Sequence, residues 1–304
     1  MKIALYATLL ALLSIPVPST ARADERTLAH DGLERRYLID KPNDLVGGAS
    51  MPVIIVLHGG GGNAETARTM TRFTQKAAAG GAILVYPDGT ARYDRMRMLK
   101  TWNAGHCCGH AMKSKVDDVG FIRALIDEII ASDHADPRRV YVTGMSNGAM
   151  MTQRLGAALP GRIAAIAPVV GGLFGDEAVP PSPVSALIIN GALDQSVRLE
   201  GGPGGGRGAS AWDGTPLKPA SYQGRFWAAA NGCDPDPDAE QEKGGKVSIE
   251  RYRCPPGREV VRYVVNDNGH AWPGGEKGSR QGDTPSDSMD ATSVIWNFFM
   301  RQSR

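Results

Sequence analysis

Residues 140–151 read VYVTGMSNGAMM. A β-branched apolar run meets Gly-x-Ser-x-Gly and passes into small and helix-favouring residues. Two glycines around one serine at such a junction predict a sharp strand-to-helix turn, with Gly144 and Gly148 removing side chains where strand and helix nearly collide. Ser146 then stands exposed at the top of a sheet, with a helix N-terminus behind it. A serine hydroxyl is a weak nucleophile, so this placement has chemical meaning only if the chain also supplies a base, an acid to orient it, and donors for an oxyanion.

The pattern around this turn repeats. "MPVIIVLHGGGG", "AILVYPDG", "IAAIAPVVGG", "SALIINGALD" and "VVRYVVNDNGH" are apolar runs that close on Gly, Pro, Asp or Asn, as strands buried on both faces do, and "RRYLID" is an earlier strand. Helical patterns fall between them over 65–79, 119–132, 149–159, 221–230 and 291–302, with Asp117 or Asp118 as the cap of the second. Strands alternating with helices predict a mostly parallel central sheet with helices on both faces, in a single α/β domain. The Gly-rich "LEGGPGGGRGAS" lacks the Lys-Ser/Thr ending of a phosphate cradle and reads as a loop within that domain.

Chain order then selects the partners of the serine. In the α/β-hydrolase arrangement the acid follows the nucleophile and the histidine follows the acid. Of six histidines only His270 lies after Ser146, directly beyond the last strand; a surface-loop histidine is the alternative. Asp194 closes a buried strand beyond Gly191, whereas Asp213, Asp234, Asp236 and Asp238 lie in polar loops and Asp267 sits on the same strand end as His270. Ser146, Asp194 and His270 are therefore the expected catalytic residues. The expected oxyanion donors are the N–H of Asn147 and that of Gly60 in "LHGGGGN", with Gly61 as its rival. His58 precedes the nucleophile and is expected to hold that loop by hydrogen bonds.

The chain has 304 residues and a formal charge of +2. Its start, "MKIALYATLLALLSIPVPSTARADER", has a basic residue, an apolar stretch and Ala21-Arg22-Ala23, which predicts an export signal over 1–23, cleavage after Ala23 and a catalytic domain over 24–304. Removing Lys2 and Arg22 with that segment leaves the remainder without net charge, so a nucleic-acid partner has no global electrostatic support. The apolar run is short and broken by Pro16 and Pro18, and no cysteine stands near the cleavage point, so neither a membrane span nor a lipid anchor is expected. The localisation expected is secreted or periplasmic, where disulfides persist. Cys233 and Cys254 flank a loop rich in Asp, Pro, Glu and Lys, and are expected to pair; adjacent Cys107 and Cys108 form a vicinal disulfide or stay reduced. His106, Cys107, Cys108 and His110 lack the usual ligand spacing, so no metal and no other cofactor is expected.

The stretches "LHGGGGNAET", "VYPDGT", "WNAGHCCGHA", "VDDVGFIRALID", "DPRRVYVTGMSNGAMM", "INGALDQSV" and "NGHAWPGG" resemble the secreted polyhydroxybutyrate depolymerase and feruloyl-esterase-type serine hydrolases, carbohydrate esterase family 1-like members of the α/β-hydrolase superfamily. The resemblance runs from about Arg35 to the C-terminus. It implies ester hydrolysis through an acyl-enzyme, a small-molecule or oligomeric ester substrate, most readily a polyhydroxybutyrate-type oligomer, and Trp102 and Trp272 lining the substrate cleft. Feruloyl or acetylxylan ester hydrolysis is the alternative. Because the chain ends at Arg304 directly after its last helix, soluble esters or short oligomers are expected in preference to crystalline polymer. Arg92, Arg95, Arg97, Lys100, Lys113 and Lys115 form a basic stretch that is either a solvated loop or a cationic cleft for an anionic polymer, a poly-aspartate-like amide included. A peptidase using the same residues, or a binding module on the same fold, completes the field; binding alone requires none of the three expected catalytic side chains.

Overall fold

The computed structural model describes residues 23–42, 50–93, 96 and 98–304. The expected export signal up to residue 22, with Arg95 and Arg97 of the basic stretch, lies outside the described residues.

Ten strands form one sheet: β1 Asp24–His30, β2 Leu33–Asp40, β3 Met51–Leu57, β4 Ile83–Pro87, β5 Ala135–Met145, β6 Ala165–Val169, β7 Ser185–Gly191, β8 Asp238–Glu242, β9 Val247–Tyr252 and β10 Val260–Val265. Their order is β1-β2-β4-β3-β5-β6-β7-β10-β9-β8. The six strands from β4 to β10 in that order are mutually parallel, and antiparallel pairs flank them on both sides.

The parallel strands are apolar throughout because both faces are covered. Along β3, Val53, Ile55 and Leu57 enter one core, shared with Phe121 and Leu125 of α4 (Asp118–Ser132), Met151 and Leu155 of α5 (Asn147–Ala158) and Trp227 of α6 (Ser221–Asn231). Ile54 and Val56 enter the other, with Ala67 and Met70 of α1 (Ala64–Thr71), Phe73 of α2 (Phe73–Gly80) and Ile295 and Phe299 of α7 (Ala291–Phe299). Side chains of a strand alternate between faces, so an uninterrupted apolar run is what a doubly covered strand requires. A short helix, α3 (Gly109–Lys113), precedes α4, and Asp117 caps α4 by accepting the Gly120 N–H.

Two expectations need correction. The helix expected over 65–79 is two helices, broken at Arg72, which has φ 56°. The carbonyl of Met70 accepts the Glu276 N–H, and that of Thr71 accepts the Thr292 hydroxyl, so tertiary partners take the groups at the break. The stretch between Cys233 and Cys254 is not an irregular loop: β8 and β9 form an antiparallel hairpin, and the disulfide joins its two ends. β8 is exposed throughout and has no apolar alternation to announce it. Strand β1, which pairs with β2, was likewise not expected.

Candidate active site

β5 ends at Met145, and the chain turns at Ser146 with φ 58° and ψ −121° before entering α5. The turn is possible because of its glycines. A Cβ at Gly148 would stand 2.5 Å from the His58 carbonyl oxygen, and one at Gly144 would stand 2.7 Å from the Gly148 carbonyl oxygen. Strand, turn and helix are thus in backbone contact, and only glycine fits at either side.

At this turn the hydroxyl of Ser146 lies 2.8 Å from His270 Nε2, and His270 Nδ1 lies 2.7 Å from Asp194 Oδ2. Asp194 follows β7 and His270 follows β10, adjacent parallel strands, so both side chains arrive at the same edge as Ser146. Asp194 is 2% exposed. Its Oδ1 accepts the N–H groups of Ser196 (2.7 Å) and Val197 (2.8 Å), which leaves Oδ2 aimed at the ring. A carboxylate acceptor at Nδ1 places the ring proton there, and Nε2 is left to accept from the serine hydroxyl. The loop of His270 is held separately, by donation of its backbone N–H to Asp283. Asp267 bonds Ser286 and Ser288 instead of the ring.

The glycine loop after β3 closes over the same turn. Gly61 donates its N–H to the Lys100 carbonyl at 2.8 Å and Gly62 donates to Gly59, whereas the N–H groups of Gly60 and Asn147 have no acceptor among the described residues. Gly60 packs on Asn147: a Cβ at Gly60 would lie 3.5 Å from Asn147 Cβ. His58 is fully buried, donates from Nδ1 to the Gly59 carbonyl and accepts the Gly89 N–H at Nε2. Burial pushes its pKa down to about 4, so it is neutral at ordinary pH. Asp88 anchors the loop further, accepting from Ala64 N–H, Arg36 and Lys100. Burial alone would raise the Asp88 carboxyl, but Lys100 and the Ala64 N–H hold it below the usual range.

Trp102 and Trp272 do not line a cleft. Both are 0% exposed, with the Trp102 indole N–H donating to the His58 carbonyl and that of Trp272 to Thr292. Cys107 and Cys108 are joined as a vicinal disulfide across a cis peptide bond. His106 sits between Asp213 (2.7 Å) and Asp176 (2.8 Å), whose carboxylates raise its pKa. Among the described residues no group of three or more His, Cys, Asp or Glu is arranged to hold a metal ion, and no helix is long and apolar enough to cross a membrane. Asp283 escaped the sequence; an Asp in a polar loop ahead of the last helix carries no signal that it will reach back to residue 270. In the basic stretch, Lys100 is paired with Asp88, and Arg92 lies over the Tyr93 ring.

Known proteins resemble this chain in sequence and in fold. The chain is 30% identical over 251 residues to "Feruloyl esterase B" of Piromyces equi, covering 80% of this chain and 44% of that one. It is 25% identical over 250 residues to "Poly(3-hydroxyalkanoate) depolymerase C" of Paucimonas lemoignei, covering 74% of this chain and 56% of the other. The chain thus spans about half the length of these relatives. In fold it superposes on the acetyl xylan esterase from Aspergillus awamori with a TM-score of 0.58 at 17% identity, covering 82% of this chain and 94% of that one. Fold and relatives together define the class: a protein of the α/β-hydrolase fold whose named relatives are esterases. Within that class the chain belongs to the family described as Esterase PHB depolymerase, whose profile matches residues 42–198.

Proposed function

We propose that Ser146, His270 and Asp194 are the catalytic residues of this esterase, and that its substrates are polyester oligomers of the polyhydroxybutyrate type. The observation that supports this most is the unbroken line from Ser146 Oγ through the His270 ring to Asp194. Ser146 Oγ attacks the ester carbonyl carbon as its proton passes to His270 Nε2. The carbonyl oxygen takes the electron pair and is held by the N–H groups of Gly60 and Asn147. Collapse breaks the bond to the alcohol oxygen, which leaves with the proton from His270. Water repeats the sequence on the acyl-enzyme and releases the carboxylic acid. Asp194 keeps the ring proton on Nδ1 and stabilises the imidazolium. The names of the family and of the Paucimonas relative favour a hydroxyalkanoate ester; the name of the Piromyces relative favours a feruloyl ester as the close alternative. We further propose that residues 1–23 direct export and that the working enzyme begins at Asp24.

A fluorophosphonate probe tests the chemistry. It should label the purified protein at Ser146, and Ser146→Ala should abolish labelling; an unlabelled parent protein would overturn the assignment. A panel of p-nitrophenyl esters, 3-hydroxybutyrate oligomers and feruloyl esters then ranks the substrates.

One observation favours a second reading. A cavity of about 600 Å³ beside α3 and α5 is lined by Lys113, Lys115 and Arg154, while its two acids, Asp117 and Asp213, are already bonded to His30 and His106. Three cations facing two acids leave an excess of positive charge there, which suits an anionic oligomer. In that case Lys113→Gln with Lys115→Gln raises KM for anionic substrates alone, and the preference fades with salt, since the Debye length is about 8 Å at physiological strength. Equal effects on neutral and anionic esters would leave the neutral reading standing.

A further inference from the structure

Asn147 carries an amide where the reaction calls only for a backbone N–H. The residue is 1% exposed, and a buried amide costs free energy unless its donors and acceptor are met. Here they are met chiefly by the backbone of one residue. Asn147 Oδ1 accepts the Trp102 N–H at 2.8 Å, and Asn147 Nδ2 donates to the Trp102 carbonyl at 3.0 Å, with Cys107 Sγ a further acceptor at 3.7 Å.

Trp102 reaches the second oxyanion donor as well. Its indole N–H donates at 3.0 Å to the carbonyl of His58, two residues before Gly60. The same segment grips the glycine loop twice more, through Gly61 N–H to Lys100 (2.8 Å) and Leu99 N–H to Gly61 (3.0 Å). The backbone of residues 99–102 is therefore a strut. One end is locked to the residue after Ser146, the other to the loop that carries Gly60, and Gly60 packs directly on Asn147 Cβ.

We propose that the Asn147 side chain and Trp102 form a clasp that sets the separation of the Gly60 and Asn147 N–H groups, which makes both residues positioning residues for the oxyanion site. The proposal rests on the acyl-transfer reading above. An oxyanion hole works when its donors lie within hydrogen-bond reach of the position the charged oxygen will take, not that of the ground-state carbonyl. A loosened clasp therefore penalises the transition state more than substrate binding. A misplacement of about 1 Å is enough for a loss on the order of 100-fold. If the amide merely satisfied buried polar groups, its removal would lower stability and leave the chemistry of the folded molecules unchanged.

Asn147→Ala and Trp102→Phe, made in the full chain, separate these outcomes. Turnover of p-nitrophenyl butyrate is measured beside inhibition by an aryl trifluoromethyl ketone, whose adduct with serine carries an oxyanion. For Asn147→Ala, kcat should fall about 10- to 100-fold with KM within about twofold, and ketone affinity should fall by the same factor as kcat/KM. Trp102→Phe removes the indole donor together with part of the buried ring; read per folded molecule, it should show the same pattern at roughly 3- to 10-fold, whereas a loss of packing alone would lower the melting temperature and leave kcat and ketone affinity unchanged. Folded variants with unchanged kcat and unchanged ketone affinity would overturn the clasp. Should Asn147→Ala fail to fold, Trp102→Phe decides by the same criterion. Failure of the ketone to inhibit the parent protein, or turnover by Ser146→Ala, would instead sink the acyl-transfer reading.

Discussion

Asp194 divides its two oxygens between two tasks. Oδ1 takes two backbone N–H groups and Oδ2 faces the His270 ring. Asparagine at 194 keeps an acceptor for the backbone but turns an N–H toward Nδ1, which favours the wrong tautomer of His270. Asp194→Asn should therefore fold as the parent does and lose on the order of 10⁴ in kcat, the size seen for the same change in the serine protease triad. Ser146→Ala should lose on the order of 10⁶. Steady-state kinetics on both variants checks the assignment, and near-parental activity in Asp194→Asn would refute it. These positions were legible because chain order leaves one histidine after Ser146 and few strand-end acids between them. The tryptophans were not: sequence shows an aromatic in a loop but not whether the loop is itself covered, and Trp102 and Trp272 are inside.

Among the elements, the turn from β5 into α5 tolerates least. Gly148→Ala places a methyl 2.5 Å from one backbone oxygen and 2.6 Å from another, and neither can yield without moving β3 or the glycine loop. Expression of Gly148→Ala should give little folded protein, and a soluble, active variant with an unchanged melting temperature would contradict the packing described. The β8–β9 hairpin is stabilised differently. It packs mainly through Val247, Ile249 and Tyr252 of β9, and Cys233–Cys254 closes a loop with a sequence separation of 21. Replacing both cysteines with serine should cost about 3 kcal/mol by loop-closure entropy, read as a shift in the urea midpoint. Both-face burial made the parallel strands readable, since their apolar runs are continuous. β8 was unreadable for the opposite reason: it is made of exposed polar residues and exists because β9 offers it an edge.

For the molecule as a whole, acid stability draws on several groups that folding perturbs, and His58 and Asp133 are two that shift far in the same direction. His58 falls from its ordinary value of 6.5 to about 4 because it is buried, with Asp88, Lys100 and Arg35 as the nearby charges. The unfolded chain therefore binds the proton first. The stability His58 contributes is intact above pH 6.5 and is lost as pH falls through 4, by about 3 kcal/mol in all. Asp133 is held near 2: burial opposes its ionisation, but hydrogen bonds from Arg26, Lys41 and Ser132 outweigh that cost. Its contribution persists above the ordinary carboxylate range and is lost below about pH 4. Thermal melts should thus show two successive declines on acidification. In His58→Asn the upper one should be shallower by the slope of one proton, and an unchanged slope would exclude His58 as its source. The architecture around these groups was readable from strand–helix alternation, whereas the ion pair joining β1 to the end of α4 through Arg26 and Asp133 joins residues 107 apart and left no local trace.

The backbone of Ser146, at φ 58° and ψ −121°, lies where side-chain-bearing residues rarely settle, at a cost of roughly 1–3 kcal/mol. Glycine would sit there without that cost. Variants enriched for heat resistance alone, with no demand on turnover, are therefore expected to drift toward Ser146→Gly, a chain that melts no earlier than its parent and hydrolyses nothing. Directed evolution of this protein needs an activity screen at every round, because at the proposed nucleophile durability and catalysis are selected in opposite directions.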